Sequence, residues 1–172
     1  CVLTVASLSG SAILTVTVTG TVPAGSAQSY TLSAYVYRGT ASTIDIYGIF
    51  SGSSTVTSAI SYNFGTNTIT ASNANGGALP TQYGVITTLN SGWYRIWVAV
   101  SDTTGLNNQL QFRIYPRGYA GLAGQYSIIY GTQAEISSST FKPSFYLEVA
   151  GTSKYTAYAN FNITGSGTGV VT

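Results

Sequence analysis

Short runs in which every second residue is apolar, separated by clusters of glycine, asparagine and proline, recur along most of this chain. Successive side chains of a strand point to opposite faces, so such runs read as strands with one buried side. They begin at Ile13–Thr21 and continue through Tyr30–Tyr37, Ile44–Phe50, Ala59–Phe64 and Thr68–Ala71. After a break at Asn73–Pro80 come Tyr83–Leu89, Trp93–Val100, Gln109–Tyr115, Tyr126–Ile136 and Phe145–Val149, with Tyr155–Ile163 as a further strand. No segment shows a sustained i, i+3, i+4 apolar spacing, and the helix-favouring Glu, Lys and Arg are scarce. Nine or ten short strands at turn-marked intervals predict an all-β fold, an antiparallel β-sandwich or jelly roll.

Composition narrows the chemistry. Among 172 residues there are 6 basic and 4 acidic side chains and no histidine, while Ser and Thr together number 47. Charged residues are 6% of the chain, against roughly 25% in an average soluble domain, so hydroxyls and amides must keep the surface wet. Without histidine, the Ser-His-Asp and Cys-His nucleophile systems and imidazole metal sites are excluded. The carboxylates Asp45, Asp102, Glu135 and Glu148 are scattered at spacings that predict no facing pair of the kind a glycosidase needs. The expectation is a protein that is not an enzyme, with no cofactor, no catalytic residue and no metal. Isolated cations suggest no nucleic-acid partner, and no apolar run approaches the ~18 residues of a membrane span. Cys1 has no partner for an intrachain disulfide. A chain opening on cysteine reads as processed or as part of something longer, with an acylated N-terminal cysteine as the lesser alternative.

The length suits one domain, expected over residues 12–149, with an N-terminal arm at 1–11 and a C-terminal arm at 150–172 that carries the further strand. Reading the strands at period two leaves Tyr35 and Tyr37 opposite Leu32, Ala34 and Val36. It leaves Trp93, Arg95 and Trp97 opposite Tyr94, Ile96 and Val98, and Arg113 and Tyr115 opposite Phe112 and Ile114. If these strands share a sheet, one face gathers Tyr35, Tyr37, Trp93, Arg95, Trp97, Arg113 and Tyr115. Three readings stand, in this order: a packed second layer with arginines on aromatic rings, a protein-protein interface, and a glycan platform. Glu135 lies on one side of its strand with Gln133, and is expected in a structural ion pair with Arg95 or Arg113 rather than in a calcium site, which needs several converging oxygens. With so few charges to defend strand edges, a homo-oligomer is expected, a trimer in the first instance.

Four segments in order carry a resemblance: SYTLSAYVYRGTAS (Ser29–Ser42), NSGWYRIWVAV (Asn90–Val100), LQFRIYPRG (Leu110–Gly118) and YSIIYGTQAEI (Tyr126–Ile136). Over about residues 12–149 the chain resembles the carbohydrate-binding-module-like jelly roll of tailed-bacteriophage virion proteins. Tyr37-Arg38 stands where that family has lysine after "YV", and Ala134 where it has the leucine of "AQLE". Phe145–Glu148 replaces its usual ending. The resemblance implies a non-enzymatic structural component of the virion, a capsid decoration (cement) or tail/fibre protein, in contact with other virion proteins and copies of itself. The alternative it leaves is a carbohydrate-binding module or adhesin domain of a secreted or surface protein, with a glycan as partner.

Overall fold

The computed structural model describes residues 3–4, 13–19, 29–87, 92–119, 121–122, 125–137, 140–144, 158–164 and 170–171. Among them every regular element is a strand: β1 (Leu3–Thr4), β2 (Ile13–Thr19), β3 (Ser29–Tyr37), β4 (Thr43–Gly52), β5 (Thr55–Asn63), β6 (Thr68–Ala74), β7 (Tyr83–Thr87), β8 (Trp93–Ser101), β9 (Asn107–Tyr115), β10 (Ile128–Ile136), β11 (Tyr158–Thr164) and β12 (Val170–Val171). The expected strand at Phe145–Val149 lies outside the described residues, as does Glu148. β5 starts at Thr55, four residues before the apolar alternation of its sequence becomes visible, because Thr55–Ser58 present hydroxyls on both faces.

These strands form two six-stranded antiparallel sheets, ordered β12-β1-β10-β3-β8-β7 and β11-β2-β9-β4-β5-β6. The sheets pack face to face, so the molecule is an antiparallel β-sandwich. The segments expected to be arms add strands to these sheets: Leu3–Thr4 pairs with β10, and Tyr158–Thr164 runs antiparallel to β2.

The period-two faces explain the core. Leu32, Ala34 and Val36 of β3 and Ile96, Val98 and Val100 of β8 meet Ile44, Ile46 and Phe50 of β4, Ile60 of β5 and Leu110, Phe112 and Ile114 of β9, all buried. Gly48 sits among them on β4, and Val100 of the opposite sheet occupies the space its side chain would fill. Burying one such aliphatic side chain contributes roughly 1.5–3 kcal/mol, so this double layer carries the stability of a chain with no disulfide.

One irregularity positions the site. In β10 the register against β3 shifts between Tyr130 and Gln133, where Gly131 adopts φ 56°. Two residues there oppose one, a bulge that only glycine enters without strain. The parity change puts Ile128 and Tyr130 before the bulge, and Gln133 and Glu135 after it, on the same outer face.

Candidate functional site

The outer face of the β10-β3-β8-β7 sheet carries five of the seven residues expected together. Cross-strand register sets Tyr35 between Tyr130 and Arg95, Tyr37 opposite Trp93, and Ser33 between Gln133 and Trp97. At one end the rings form a chain, Tyr37–Trp93 at 5.7 Å, Trp93–Tyr130 at 6.5 Å and Tyr130–Tyr35 at 6.4 Å between centroids. The Arg95 guanidinium closes it, with Cζ 5.3 Å from the centre of the Tyr35 ring.

The other two residues correct the expectation. Arg113 and Tyr115 lie on β9, in the opposite sheet. Period two reports which face a side chain takes, whereas the crossover connections decide which sheet receives a strand. The Tyr115 ring there lies tilted against Tyr47 at 4.9 Å and edge-on to Tyr119 at 5.4 Å between centroids, while Arg113 donates through Nη2 and Nε to Gln111 Oε1 at 2.7 and 3.2 Å. Burial raises the Tyr47 hydroxyl above its ordinary pKa, and the neighbouring Asp45, Tyr115 and Tyr119 push the same way.

Much of the first face is covered by the chain itself. Residues 140–144 cross it as a strap: Thr31 Oγ1 donates to the Phe141 carbonyl at 2.9 Å, Arg95 Nη1 to the Ser144 carbonyl at 2.6 Å and Gln133 Nε2 to Ser144 Oγ at 2.9 Å. Arg95 Nη2 also reaches Ser33 Oγ (3.1 Å) and Gln133 Oε1 (2.9 Å), leaving Nε as a buried donor without a partner. Arg95 is consequently 4% exposed. Trp97 is 6% exposed, its indole lying over Gly84 of the neighbouring strand, where any β-carbon would meet Nε1 at 2.9 Å. Tyr37, at 39%, remains open to solvent, and Trp93 and Tyr130 are half-buried.

Glu135 is a second correction. Among the described residues it forms no ion pair with either arginine; its Oε1 accepts the Ser144 N–H at 2.7 Å. Arg95 and Glu135 therefore grip the carbonyl and amide of the same residue, and meet through a peptide instead of directly.

The same use of charge recurs across the molecule. Asp45 Oδ2 accepts the Tyr119 N–H at 2.7 Å, and Asp102 accepts those of Thr104 and Asn107 at 3.0 and 2.9 Å. Arg38 Nε donates to the Ala41 carbonyl at 3.2 Å and Arg117 Nη1 to that of Leu122 at 3.0 Å. Asp102 is buried, which disfavours its charge, yet the bonds from Thr104 and Asn107 outweigh burial and lower its pKa below the ordinary value. Six of the eight described charged side chains thus fasten loop backbone. No group of three Cys, Asp or Glu residues converges among the described residues.

A cavity of about 210 Å³ lies between residues 78–82 and the strands behind them, lined by Ser58, Leu79, Gln82, Val100 and Phe141 among others, with no ionisable side chain. It can hold a neutral molecule by contact and hydroxyl bonding but offers no acid–base group.

Sequence reading missed Tyr130 and Tyr47. Tyr130 was legible only through Gly131, whose bulge sets its face, and Tyr47 through its register opposite Arg113. No helix among the described residues is long and apolar enough to cross a membrane. No protein-family model matches the chain, and no curated protein matches it.

Proposed function

We propose that this chain is a non-enzymatic structural component of a tailed-phage virion, a capsid decoration or tail/fibre protein that works through protein–protein contacts. The observation that carries the reading is the use of its few charges: Arg38, Asp45, Arg95, Asp102, Arg117 and Glu135 all hold loop backbone. A nearly neutral surface with a half-open aromatic cluster at Tyr37, Trp93 and Tyr130 suits docking, for which Trp, Tyr and Arg are the enriched anchors. The strand order supports a jelly roll: β1-β10-β3-β8 and β2-β9-β4-β5 interleave in sequence as two four-stranded sheets, with β6 and β7 added at one side. The four ordered motifs supply the virion context.

A carbohydrate-binding module is the alternative, and the Tyr37/Trp93/Tyr130 rings favour it, because aromatic faces stack on sugars. The test replaces Tyr37 and Trp93 together by alanine. Phage particles carrying the wild-type protein at fixed positions and lacking the folded double variant support the virion reading. A wild-type signal on a glycan array, lost in the double variant while particle incorporation persists, refutes it.

A further inference from the structure

Residues 46–94 contain no charged side chain, and they build β5, β6 and β7. β6 and β7 end their respective sheets, and since β5 packs across from β8, these two terminal strands line the same side of the sandwich. That side is open. Val85 of β7 and Ile69 and Ala71 of β6 pack on the core while remaining only partly buried, and Tyr83 is 37% exposed. From Thr68 to Asn73, β6 bonds β5 along one edge in regular register, and among the described residues its other edge has no strand partner.

Natural sheets protect such an edge with lysine, proline, a bulge or a covering segment. Among the described residues β6 has none of these; Thr68, Thr70 and Ser72 are exposed, and no charge stands near them in sequence. We propose that β6 pairs antiparallel with β6 of a second copy across a twofold axis, joining the two β11-β2-β9-β4-β5-β6 sheets into one. This rests on the reading that the chain acts through protein contacts, and commits that reading to one surface and one partner.

The sequence is suited to self-pairing. A twofold axis perpendicular to the sheet keeps each side chain on its own face, so the register centred on Thr70 sets Thr70 against Thr70 and Thr68 against Ser72 outside, and Ile69 against Ala71 inside. Cross-strand Thr–Thr and Thr–Ser pairs are favourable, and no like charges are brought together. The contact is isologous and closes at two copies. It also covers Ile69 and Ala71, completing the burial that β5 and β7 leave unfinished.

The experiment uses the purified chain. The wild type should sediment at twice 17.9 kDa, with slow hydrogen exchange at the outward β6 amides. Thr70→Lys with Ser72→Lys should weaken dimerisation by roughly a hundredfold while leaving the β spectrum intact, because like charges then face each other across the axis. An equimolar mixture with Thr70→Glu/Ser72→Glu should restore a mixed dimer. Should the charged variants misfold, Thr70→Cys in a Cys1→Ser background gives an independent reading, since a short bifunctional thiol reagent should link two copies. A wild type that stays monomeric at millimolar concentration, a trimer, a dimer indifferent to the charges, or no crosslink through Thr70→Cys overturns the pairing. None of these outcomes bears on whether particles incorporate the protein, so failure here and failure of the virion reading are separable.

Discussion

Replacing Gly48 by alanine tests how closely the two sheets approach. A β-carbon at Gly48 would lie 2.7 Å from Val100 Cγ2, 2.9 Å from Cγ1 and 3.0 Å from Cβ. Val100 is 2% exposed, and its branched β-carbon leaves little rotamer freedom with which to withdraw. The added methyl therefore overpacks the core, at a cost of about 2 kcal/mol within the usual 1–3 kcal/mol range. Val100→Ala alone removes two methyl groups worth ~0.8 kcal/mol each plus a residual cavity, again about 2 kcal/mol. In the double variant the alanine methyl enters the vacated space, so the pair should cost only about 1 kcal/mol and show a coupling near 3 kcal/mol. Urea unfolding of the four proteins at one fixed protein concentration measures the cycle, since self-association would otherwise shift apparent stability. A neutral Gly48→Ala, or additive losses in the double variant, would refute this placement of β4 against β8.

Trp97→Ala should cost roughly 3–5 kcal/mol in the same assay, as for a buried tryptophan, and Trp93→Ala clearly less; equal losses would contradict the burial difference between them. Because hydrogen bonds lower the Asp102 pKa in the folded state, its contribution is complete above the ordinary value of 3.8 and is lost as pH falls through the lowered one. Asp102→Asn should therefore cost about 1–3 kcal/mol at neutral pH and flatten the acid limb of the stability curve; an unchanged acid limb would count against the Thr104 and Asn107 bonds. Glu135→Ala removes the acceptor of the Ser144 N–H and should speed exchange of that amide while the β10 amides stay protected, as amide-resolved NMR would show. Unchanged Ser144 exchange would mean that Glu135 does not hold the strap.

Which residues face inward was readable from alternation alone. Leu32, Ala34 and Val36, Ile96 and Val98, and Phe112 and Ile114 are buried as their period requires. The grouping of Arg113 and Tyr115 with Trp93 and Arg95 failed because no local pattern records which sheet a strand joins after a crossover. The burial of Arg95 and Trp97 was hidden for a different reason. It depends on Gly84, an absence of side chain on a neighbouring strand, and on the segment Thr140–Ser144, which has no periodicity and is fixed by side chain-to-backbone bonds. The Glu135 contact was half legible: the carboxylate does work beside Arg95, but on the Ser144 amide rather than on the guanidinium.

The way charges grip loop peptides also sets how this protein meets its solvent. Added salt weakens attraction between separated surface ions, with a screening length near 8 Å at physiological strength, but has little purchase on a short bond from a guanidinium to a carbonyl or from an amide to a carboxylate. Among the described residues Arg38, Arg95 and Arg117 hold carbonyls, and Asp45, Asp102 and Glu135 hold amides, at 2.6–3.2 Å. Moving from dilute buffer to physiological salt should therefore leave these six fastenings nearly unchanged, so the described loops they hold keep their shape across that range.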